Sequence, residues 1–395
     1  MGGTEHAVVV GAGIGGLAAA VALARTGRRV TVLERAPEIR PVGAGFGMAP
    51  NALRGLDALG VGDAVRALAL RGSGGIRRAD GRWMVRIDMA EVRRRFGDAL
   101  VVLRRSDLVD LLIGALPDGA LRTGAEVERV DPGGGRRPAG VRLRGGEEIG
   151  ADLVVAADGI RSAARRGLFP EHPGLLYSGF TCWRLLSRPE ARMHVEPAEV
   201  WGRGRGGGVM PLEDGSVYAY FVHRTAEGGR GPAGERAELE RVFGGWCAPV
   251  PEVVAAAREE AVNRGDLYRM AAPLPAYHRG RTALLGDAAH AMLPNLGQGA
   301  CQAIEDAVEL AHAVGAPGGP AHRIPDGLAR YSASRAPRAN GVAAASASAA
   351  RMMGATARPA AALRDAGLTA VGRAAPGLFY RAFERTFDWT PPAGG

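Results

Sequence analysis

The stretch LLGDAAHAMLPNLGQG at residues 284–299 joins a short apolar run to a Gly-Asp pair and then to a loop rich in proline and glycine. A helical pattern follows over residues 300–313. In open α/β sheets, ligands bind beyond the carboxyl ends of the strands, where Asp287 of this stretch is predicted to lie. Taken alone, the stretch is also compatible with an ordinary strand–loop–helix connection, so other motifs must decide what it holds.

The N-terminus carries a predicted nucleotide-binding turn. An apolar strand at residues 6–10 precedes Gly11, Gly13 and Gly16, a helix follows, and the next strand ends in Glu34. The glycines allow a tight turn, a close approach to a pyrophosphate and close packing of the helix on the sheet. The helix N-terminus then faces the phosphates. Glu34 is suited to bind ribose hydroxyls and would repel a 2′-phosphate, but the turn does not distinguish NAD from FAD.

A third segment, ADLVVAADGIRSAARR at residues 151–166, places Asp158-Gly159 at the end of a predicted strand. Ser162 and Arg165 follow at the spacing DGxxSxxR. Taken alone, this segment is most simply a turn of the Asp-Gly type before a helix capped by Ser162. Its order and separation relative to the other two segments make the combination specific.

Together, the three segments resemble the FAD-dependent, single-component (class A) flavoprotein monooxygenases, the family of p-hydroxybenzoate and salicylate hydroxylases. The chain is also similar to the zeaxanthin epoxidase branch. The resemblance extends from about residue 7 to about residue 338. The matching pieces are VVVGAGIGGLAAAVAL, VLERAPEIRPVGAGFGMAPNALRGLDALG, LRRSDLVDLL, VVAADGIRSAAR, YSGFTCWR and LLGDAAHAMLPNLGQGACQAIEDAVEL.

This resemblance implies an α/β fold with a discontinuous Rossmann-like FAD-binding domain of the GR2/PHBH type. An antiparallel β-sheet substrate domain is inserted into it, and a helical region follows at the C-terminus. The expected FAD-binding domain comprises residues 1–71, 98–175 and 270–340. The expected substrate domain comprises residues 72–97 and 176–269, and the C-terminal helices residues 341–395.

The resemblance also implies a role for individual residues in holding FAD. Arg105 would reach the ribityl–pyrophosphate region, Val127 would meet the adenine through its backbone, and Asp287 would bind a ribityl hydroxyl. Asp158 would organise the pyrophosphate and the approach of NAD(P)H, while the backbone of residues 294–299 would lie against the isoalloxazine ring. The full expected set is Gly11, Gly13, Gly16, Glu34, Arg35, Gly45, Arg105, Val127, Asp158, Asp287, Pro294, Gly297, Gln298 and Gly299.

The implied activity is a monooxygenation with bound FAD, NAD(P)H as a transient co-substrate and O₂, by way of a flavin C4a-hydroperoxide. The implied substrate is a small aromatic, indolic or polyene/terpenoid compound that is hydroxylated or epoxidised. A role in bacterial natural-product tailoring is a hypothesis from the composition bias. The helix beginning near Gln298 would direct its N-terminus at the flavin N1–C2=O edge and favour the anionic reduced ring. The alternative is an FAD-dependent reductase or desaturase of a lipid or isoprenoid, of the geranylgeranyl-reductase type.

No catalytic base can be assigned from the sequence. His290 follows the Gly-Asp pair and is predicted to order the loop. Tyr218 and Tyr220 share one face of their predicted strand, and either line the substrate pocket or belong to the core. The other pocket candidates, chosen by position, are Met48, Trp183, Met210 and Pro294.

Composition limits the possible partners. The net charge is +9, but the chain has no lysine and its arginines are scattered, so we do not expect nucleic-acid binding. The three cysteines lie far apart without metal-ligand spacing, which predicts a reduced, cytoplasmic protein without a metal. The uncharged run at residues 7–24 contains the glycine turn, so no integral membrane segment is expected. The expected partner is a small-molecule substrate, for a monomer or homodimer.

Several predicted elements bear on the substrate domain and on the helices. A hairpin is predicted at residues 72–86 around Asp80-Gly81, and a helix capped by Ser106 at residues 106–116. A single last helix is predicted at residues 358–383. The predicted strands of the antiparallel sheet are residues 177–186, 199–201, 208–212 and 217–223.

Overall fold

The computed structural model describes residues 5–39, 45–68, 74–134, 137–187, 195–212, 214–318 and 323–392. The strands are β1 His6–Val10, β2 Arg29–Leu33, β3 Gly45–Met48, β4 Gly74–Arg78, β5 Trp83–Ile87, β6 Val101–Arg104, β7 Leu121–Arg122, β8 Val127–Asp131, β9 Ala139–Leu143, β10 Glu148–Ala151, β11 Leu153–Ala156, β12 Leu175–Leu186, β13 Ala198–Trp201, β14 Arg205–Pro211, β15 Val217–Arg224, β16 Asn263–Met270, β17 His278–Arg279 and β18 Thr282–Leu284.

The α-helices are α1 Ile14–Arg25, α2 Pro50–Ala58, α3 Gly62–Ala67, α4 Met89–Phe96, α5 Arg105–Gly114, α6 Ala163–Leu168, α7 Glu235–Phe243, α8 Val250–Ala256, α9 Asp287–His290, α10 Gly299–Val314, α11 Arg323–Met353, α12 Arg358–Ala374 and α13 Pro376–Phe387. Short 3₁₀ turns lie at Glu259–Ala261 and Pro294–Leu296.

A six-stranded sheet forms the centre of the molecule, in the order β17-β18-β11-β1-β2-β7. β1 pairs in parallel with both β2 and β11, and β11 pairs in parallel with β18. Successive side chains of β1 point to opposite faces, so that Ala7 and Val9 join the main core while Val8 and Val10 pack with the sheet β10-β9-β8. The expected α/β fold with a parallel, Rossmann-like sheet is therefore confirmed.

A seven-stranded sheet in the order β16-β12-β15-β14-β13-β4-β5 contains the predicted antiparallel strands. One face, including Trp183 and Phe221, packs against α7 and α8. The other face, including Cys182 and Val222, packs with Met353 of α11. The hairpin β4–β5 joins this sheet through a parallel pairing of β4 with β13. The expected domain bounds stay a prediction, but strands from both expected substrate segments share one sheet.

Two local predictions were wrong. The helix expected to be capped by Ser106 begins at Arg105, with Arg104 at the N-cap position, and the Ser106 hydroxyl donates to Asp107 Oδ1 instead. The single helix expected at residues 358–383 is divided into α12 and α13. Pro376 cannot continue the preceding helix, because it lacks an N–H, and Ala375 leaves the helical region with φ −148°.

Neither a membrane-crossing helix nor a metal-binding group of His, Cys, Asp and Glu occurs in the part of the chain that the structure describes.

A buried ionic cluster joins α10 to α11. Arg335 of α11 is fully buried and donates to Glu305 Oε2 at 2.5 Å and to Asp306 Oδ1 at 2.7 Å. Arg338 also donates to Glu305. Asp306 accepts the Gly286 N–H at 3.0 Å, so the cluster reaches the loop that follows β18. Removing one member would leave charges buried without their partners.

Replacing Arg335 with Met should therefore lower the free energy of unfolding by about 3–5 kcal/mol, because two buried carboxylates lose their shared cation. Urea denaturation of the purified protein measures the change. Arg122→Met is the control, since Arg122 pairs with Glu147 at an exposed surface, and it should change stability little. Equal losses in the two variants would contradict a special role for the buried cluster.

Candidate functional site

The loop between β1 and α1 is a close turn that requires glycine at two positions. Gly11 has φ 99°, and its N–H donates to the Leu33 carbonyl at 2.8 Å. A Cβ on Gly11 would lie 2.6 Å from the Ala157 carbonyl oxygen, and one on Gly16 would lie 1.9 Å from that of Gly11. These contacts are with backbone atoms that cannot move aside, so both glycines are needed for packing itself.

Gly13 borders open space at the start of α1. The nearest atom to a Cβ at this position would be Nη2 of Arg105, at 4.0 Å. Burial lowers the pKa of the Arg105 guanidinium, although nearby Asp287 opposes the shift. Arg105 nevertheless keeps accessible surface, which indicates that it borders a cleft. Free N–H groups at a helix start beside an arginine are suited to bind an anion such as a pyrophosphate.

Glu34 lies at the carboxyl end of β2 and is bound to the glycine turn. Its Oε2 accepts the Ala12 N–H at 2.8 Å, and its Oε1 accepts the Ala36 N–H at 2.9 Å. Each carboxylate oxygen can accept more than one hydrogen bond, and the side chain is only partly buried. Glu34 therefore retains acceptor capacity for ribose hydroxyls.

Three other predicted residues lie around these loops. Arg35 is exposed directly after β2, and Val127 begins β8 and is partly buried. Gly45 begins β3, where a Cβ would lie 2.7 Å from the ring of Tyr218. Gly45 therefore allows the Tyr218 ring to pack against this strand.

Asp158 follows β11 at the same edge of the sheet. Its Oδ2 accepts the Ala164 N–H at 3.1 Å, while its Oδ1 is buried without a hydrogen-bond partner among the described residues. Ser162 caps α6 as expected, since its Oγ accepts the Arg165 N–H at 2.8 Å. The Arg165 guanidinium donates to the Asp287 carbonyl at 3.3 Å and so connects the loops after β11 and β18.

Asp287 opens α9 in the loop after β18, and its side chain is accessible. Although the side chain is accessible from the cleft, the protein atoms around it partly desolvate the carboxyl and raise its pKa, while His290, Arg105 and Arg165 oppose that shift. Gly299, the first residue of α10, is close, because a Cβ there would lie 4.0 Å from Asp287 Oδ1. The start of this 16-residue helix and the Asp287 carboxyl therefore border the same space.

Gln298 contributes differently from the residues beside it. Its side chain is buried, and its Oε1 accepts from Asn51 at 3.0 Å and from Gln302 at 3.2 Å. Only the backbone of Gln298, and not its side chain, is therefore available to a molecule bound along this loop. The preceding Gly297 has φ 64°, a left-handed conformation that favours glycine.

His290 has the loop-ordering role predicted for it. It is buried, and its Nε2 lies 2.5 Å from Asp306 Oδ2. Neighbouring His290 and Arg335 hold the pKa of Asp306 well below its usual range despite burial. The charged Asp306 thereby fixes the turn at residues 286–290.

The geometry of these loops fits FAD. Gly13 leaves room beside Arg105, Asp158 has an acceptor oxygen to which none of the described residues donates, and Asp287 opens beside the start of α10. Arg105 interacts electrostatically with Asp287, which places the two loops at one cleft. Anion-binding and hydroxyl-binding groups are thus available where a dinucleotide needs them.

A narrow cavity lies between the seven-stranded sheet, the turn Pro294–Leu296 and α11; the empty space in it, with the solvent at its mouth included, is about 350 Å³, and only a small part of that space is wide enough for a water molecule. Its walls are mostly apolar and its acidic side chain is Glu199. The other lining residues are Trp201, Gly207, Tyr220, Val222, Pro294, Asn295, Ala349 and Met353.

Glu199 is held by two aromatic side chains. Its Oε1 accepts from the Tyr220 hydroxyl at 2.7 Å, and its Oε2 accepts from Trp201 Nε1 at 2.8 Å. Burial raises the pKa of Glu199, and these two hydrogen bonds oppose the shift. Burial, together with the neighbouring Glu199 carboxyl, also raises the pKa of Tyr220 well above its usual value.

Four of the six predicted pocket residues lie at the cavity or on the face of the sheet that borders it. Tyr220 and Pro294 line the cavity. Met210 and Tyr218 are paired residues of β14 and β15, and they share the face that carries Tyr220.

Trp183 and Met48, which were also predicted to line the substrate pocket, do not line this cavity. Trp183 points to the opposite face of the sheet, where its Nε1 donates to Glu235 Oε2 at 2.7 Å, because neighbouring strand residues alternate between faces. Met48 has no exposed surface and belongs to the main core.

Sequence reasoning missed Glu199, Trp201 and Met353. One signal was present, since Glu199 and Trp201 alternate with the apolar residues Ala198 and Val200 in a short strand. A carboxyl at such a position suggests a buried acceptor. Met353 lies more than a hundred residues away in α11, and only the packing of that helix brings it to the cavity.

Comparison with known proteins agrees with this geometry. Residues 4–346 match a family model described as FAD binding domain. The aurachin C monooxygenase/isomerase of Stigmatella aurantiaca is 39% identical over 337 residues, covering 84% of this chain and 85% of that protein. The 2-heptyl-3-hydroxy-4(1H)-quinolone synthase of Pseudomonas aeruginosa is 34% identical, covering 77% and 79%.

A crystal structure of Klebsiella pneumoniae HpxO complexed with FAD and uric acid superposes with a TM-score of 0.86 at 28% identity, covering 99% of this chain and 98% of that one. The monooxygenase activity named for the Stigmatella relative fits the main expectation and not the alternative lipid reductase. The chain belongs to the FAD binding domain family and is an FAD-dependent monooxygenase.

Proposed function

We propose that the protein uses NAD(P)H and O₂ to hydroxylate a small, largely apolar aromatic compound bound in the cavity beside Pro294. One observation carries this proposal. Pro294 lines the cavity and also begins the turn that leads through Gly297 to the start of α10. A ring in the cavity would therefore contact the same loop as the isoalloxazine ring.

In this proposal the chain binds and orients its cofactor through the three loops. FAD, when bound, supplies hydride acceptance and oxygen activation. Arg105 and the start of α1 bind the pyrophosphate, and Asp287 accepts a hydrogen bond from the ribityl chain. The N-terminal dipole of α10 would stabilise negative charge on the bound flavin.

The cavity walls give the oxygenation a site with little water. Trp201, Val222, Ala349 and Met353 present apolar surface, so a flat aromatic ring would displace solvent on binding. The name of the Pseudomonas relative includes a fused N-heteroaromatic ring, and HpxO was crystallised with uric acid, another such ring. Both support an aromatic substrate over a polyene.

We propose a cytoplasmic monomer or homodimer. All three cysteines are free, with Cys182 and Cys301 buried, which is typical of a reducing compartment. Light scattering coupled to size exclusion would test the oligomeric state.

The pyrophosphate site can be tested separately from folding. Gly13→Ala should leave the stability of the FAD-free protein unchanged, because its Cβ meets no atom nearer than 4.0 Å and Gly13 has φ −72°. The methyl group would, however, occupy the space proposed for the pyrophosphate. We expect FAD affinity to fall at least about tenfold in a titration that follows quenching of flavin fluorescence.

Gly16→Ala provides the contrast, because its Cβ would lie 1.9 Å from a backbone oxygen. This variant should lose folded protein, whereas Gly13→Ala should lose only FAD. Wild-type FAD affinity in Gly13→Ala would contradict the proposed position of the pyrophosphate.

The activity itself can be tested by asking whether NAD(P)H oxidation is coupled to oxygenation of a substrate. A screen of aromatic compounds should find one that accelerates NAD(P)H oxidation by the FAD-loaded protein while suppressing hydrogen peroxide. Label from ¹⁸O₂ should then appear in the product, since a monooxygenase transfers one oxygen atom. NAD(P)H oxidation that proceeds without O₂ and reduces the organic compound would contradict the proposal.

A further inference from the structure

The carboxyl of Glu199 is the feature of the cavity that a purely apolar binding site would not need. It lies on β13, in a strand whose next residues pack into the cores of the sheet. Burying a carboxyl is costly unless hydrogen bonds or a ligand compensate. Glu199 keeps some accessible surface and lines the cavity, so this remaining surface is available to a bound molecule.

The two aromatic donors orient the Glu199 carboxyl but leave some of its hydrogen-bond acceptor positions free. Tyr220 donates to one oxygen and Trp201 to the other, at 2.7 and 2.8 Å. A carboxylate offers roughly four acceptor positions, so about two remain. The nearby amide of Asn295 donates to Met353 Sδ at 3.7 Å and makes no hydrogen bond to Glu199. The remaining acceptor positions thus match a donor on the ligand.

We propose that Glu199 determines substrate specificity by accepting a hydrogen bond from an N–H or O–H group on the aromatic ring of the substrate. The inference rests on the proposed function, since it assumes that the aromatic substrate occupies this cavity. Tyr220 and Trp201 are positioning residues, because they hold the carboxyl through its two oxygens and fix its orientation towards the ring.

This contact would also favour the oxygenation. Hydrogen bonding of a ring N–H or O–H to a carboxylate shifts electron density into the ring, and an electron-rich carbon accepts oxygen more readily. A site built to bind such a donor also rejects an analogue without it, because a buried acceptor is then left unpaired. Selectivity should therefore be visible in binding as well as in turnover.

The test uses two matched probes, 4(1H)-quinolone and 1-methyl-4-quinolone, which differ in the ring N–H. Their dissociation constants for the FAD-loaded protein are measured by calorimetry and by the change in the flavin absorption spectrum. The wild-type protein should bind the N–H probe at least about tenfold more tightly, as expected for a hydrogen bond to a charged acceptor.

Two variants then assign the preference to Glu199. Glu199→Gln, which is nearly isosteric, should reduce the ratio of the two dissociation constants, because it replaces a charged acceptor with a neutral one. Glu199→Leu should bring the ratio close to one. Flavin content reports whether each variant is folded. If Glu199→Leu does not retain FAD, the ratio measured for Glu199→Gln alone tests the role of Glu199.

Glu196→Gln is the matched control, because Glu196 makes ion pairs with Arg77 and Arg86 outside the cavity. It should keep the wild-type ratio. The proposal is overturned if neither probe binds, if the wild-type protein does not distinguish them, or if the ratio persists in the Glu199 variants. Each of these results leaves the monooxygenase activity to be judged separately, by the coupling of NAD(P)H oxidation to ¹⁸O transfer.

Discussion

The hydrogen-bonded carboxylate of Asp306 is the interaction on which the cofactor cleft depends. One buried side chain accepts from the Gly286 backbone, from His290 and from Arg335, and so ties the loop after β18 to α10 and α11. Because all these groups are buried, each must keep its partner. The loop that carries Asp287 is therefore held in one position relative to the helix that begins at Gly299.

The loop after β18 borders two neighbouring spaces. Asp287 opens towards the cleft that also contains Arg105, while Pro294 faces the cavity of the seven-stranded sheet. A segment of eight residues thereby places the proposed cofactor beside the proposed substrate.

The order of the main elements was predictable because its signals are local. The spacing of Gly11 and Gly16 marks one tight turn, in which a Cβ on Gly16 would meet the Gly11 carbonyl oxygen, and the Asp158-Gly159 pair that follows β11 identifies one edge of the sheet. Local patterns were less reliable where two interpretations compete. Ser106 has the chemistry of a helix cap, but the helix begins one residue earlier, and Pro376 divides a run of helix-forming residues.

The sequence by itself determined the family, the cofactor and the order of the three loops, because each loop is specified by residues close together in the chain. Only the tertiary structure decided which side chains line the cavity of the seven-stranded sheet. Trp183 and Tyr220 both looked suitable, yet the pleat of adjacent strands directs them to opposite faces. Glu199 meets Pro294 and Met353 only because a sheet, a loop and a distant helix pack together, which local sequence patterns do not encode.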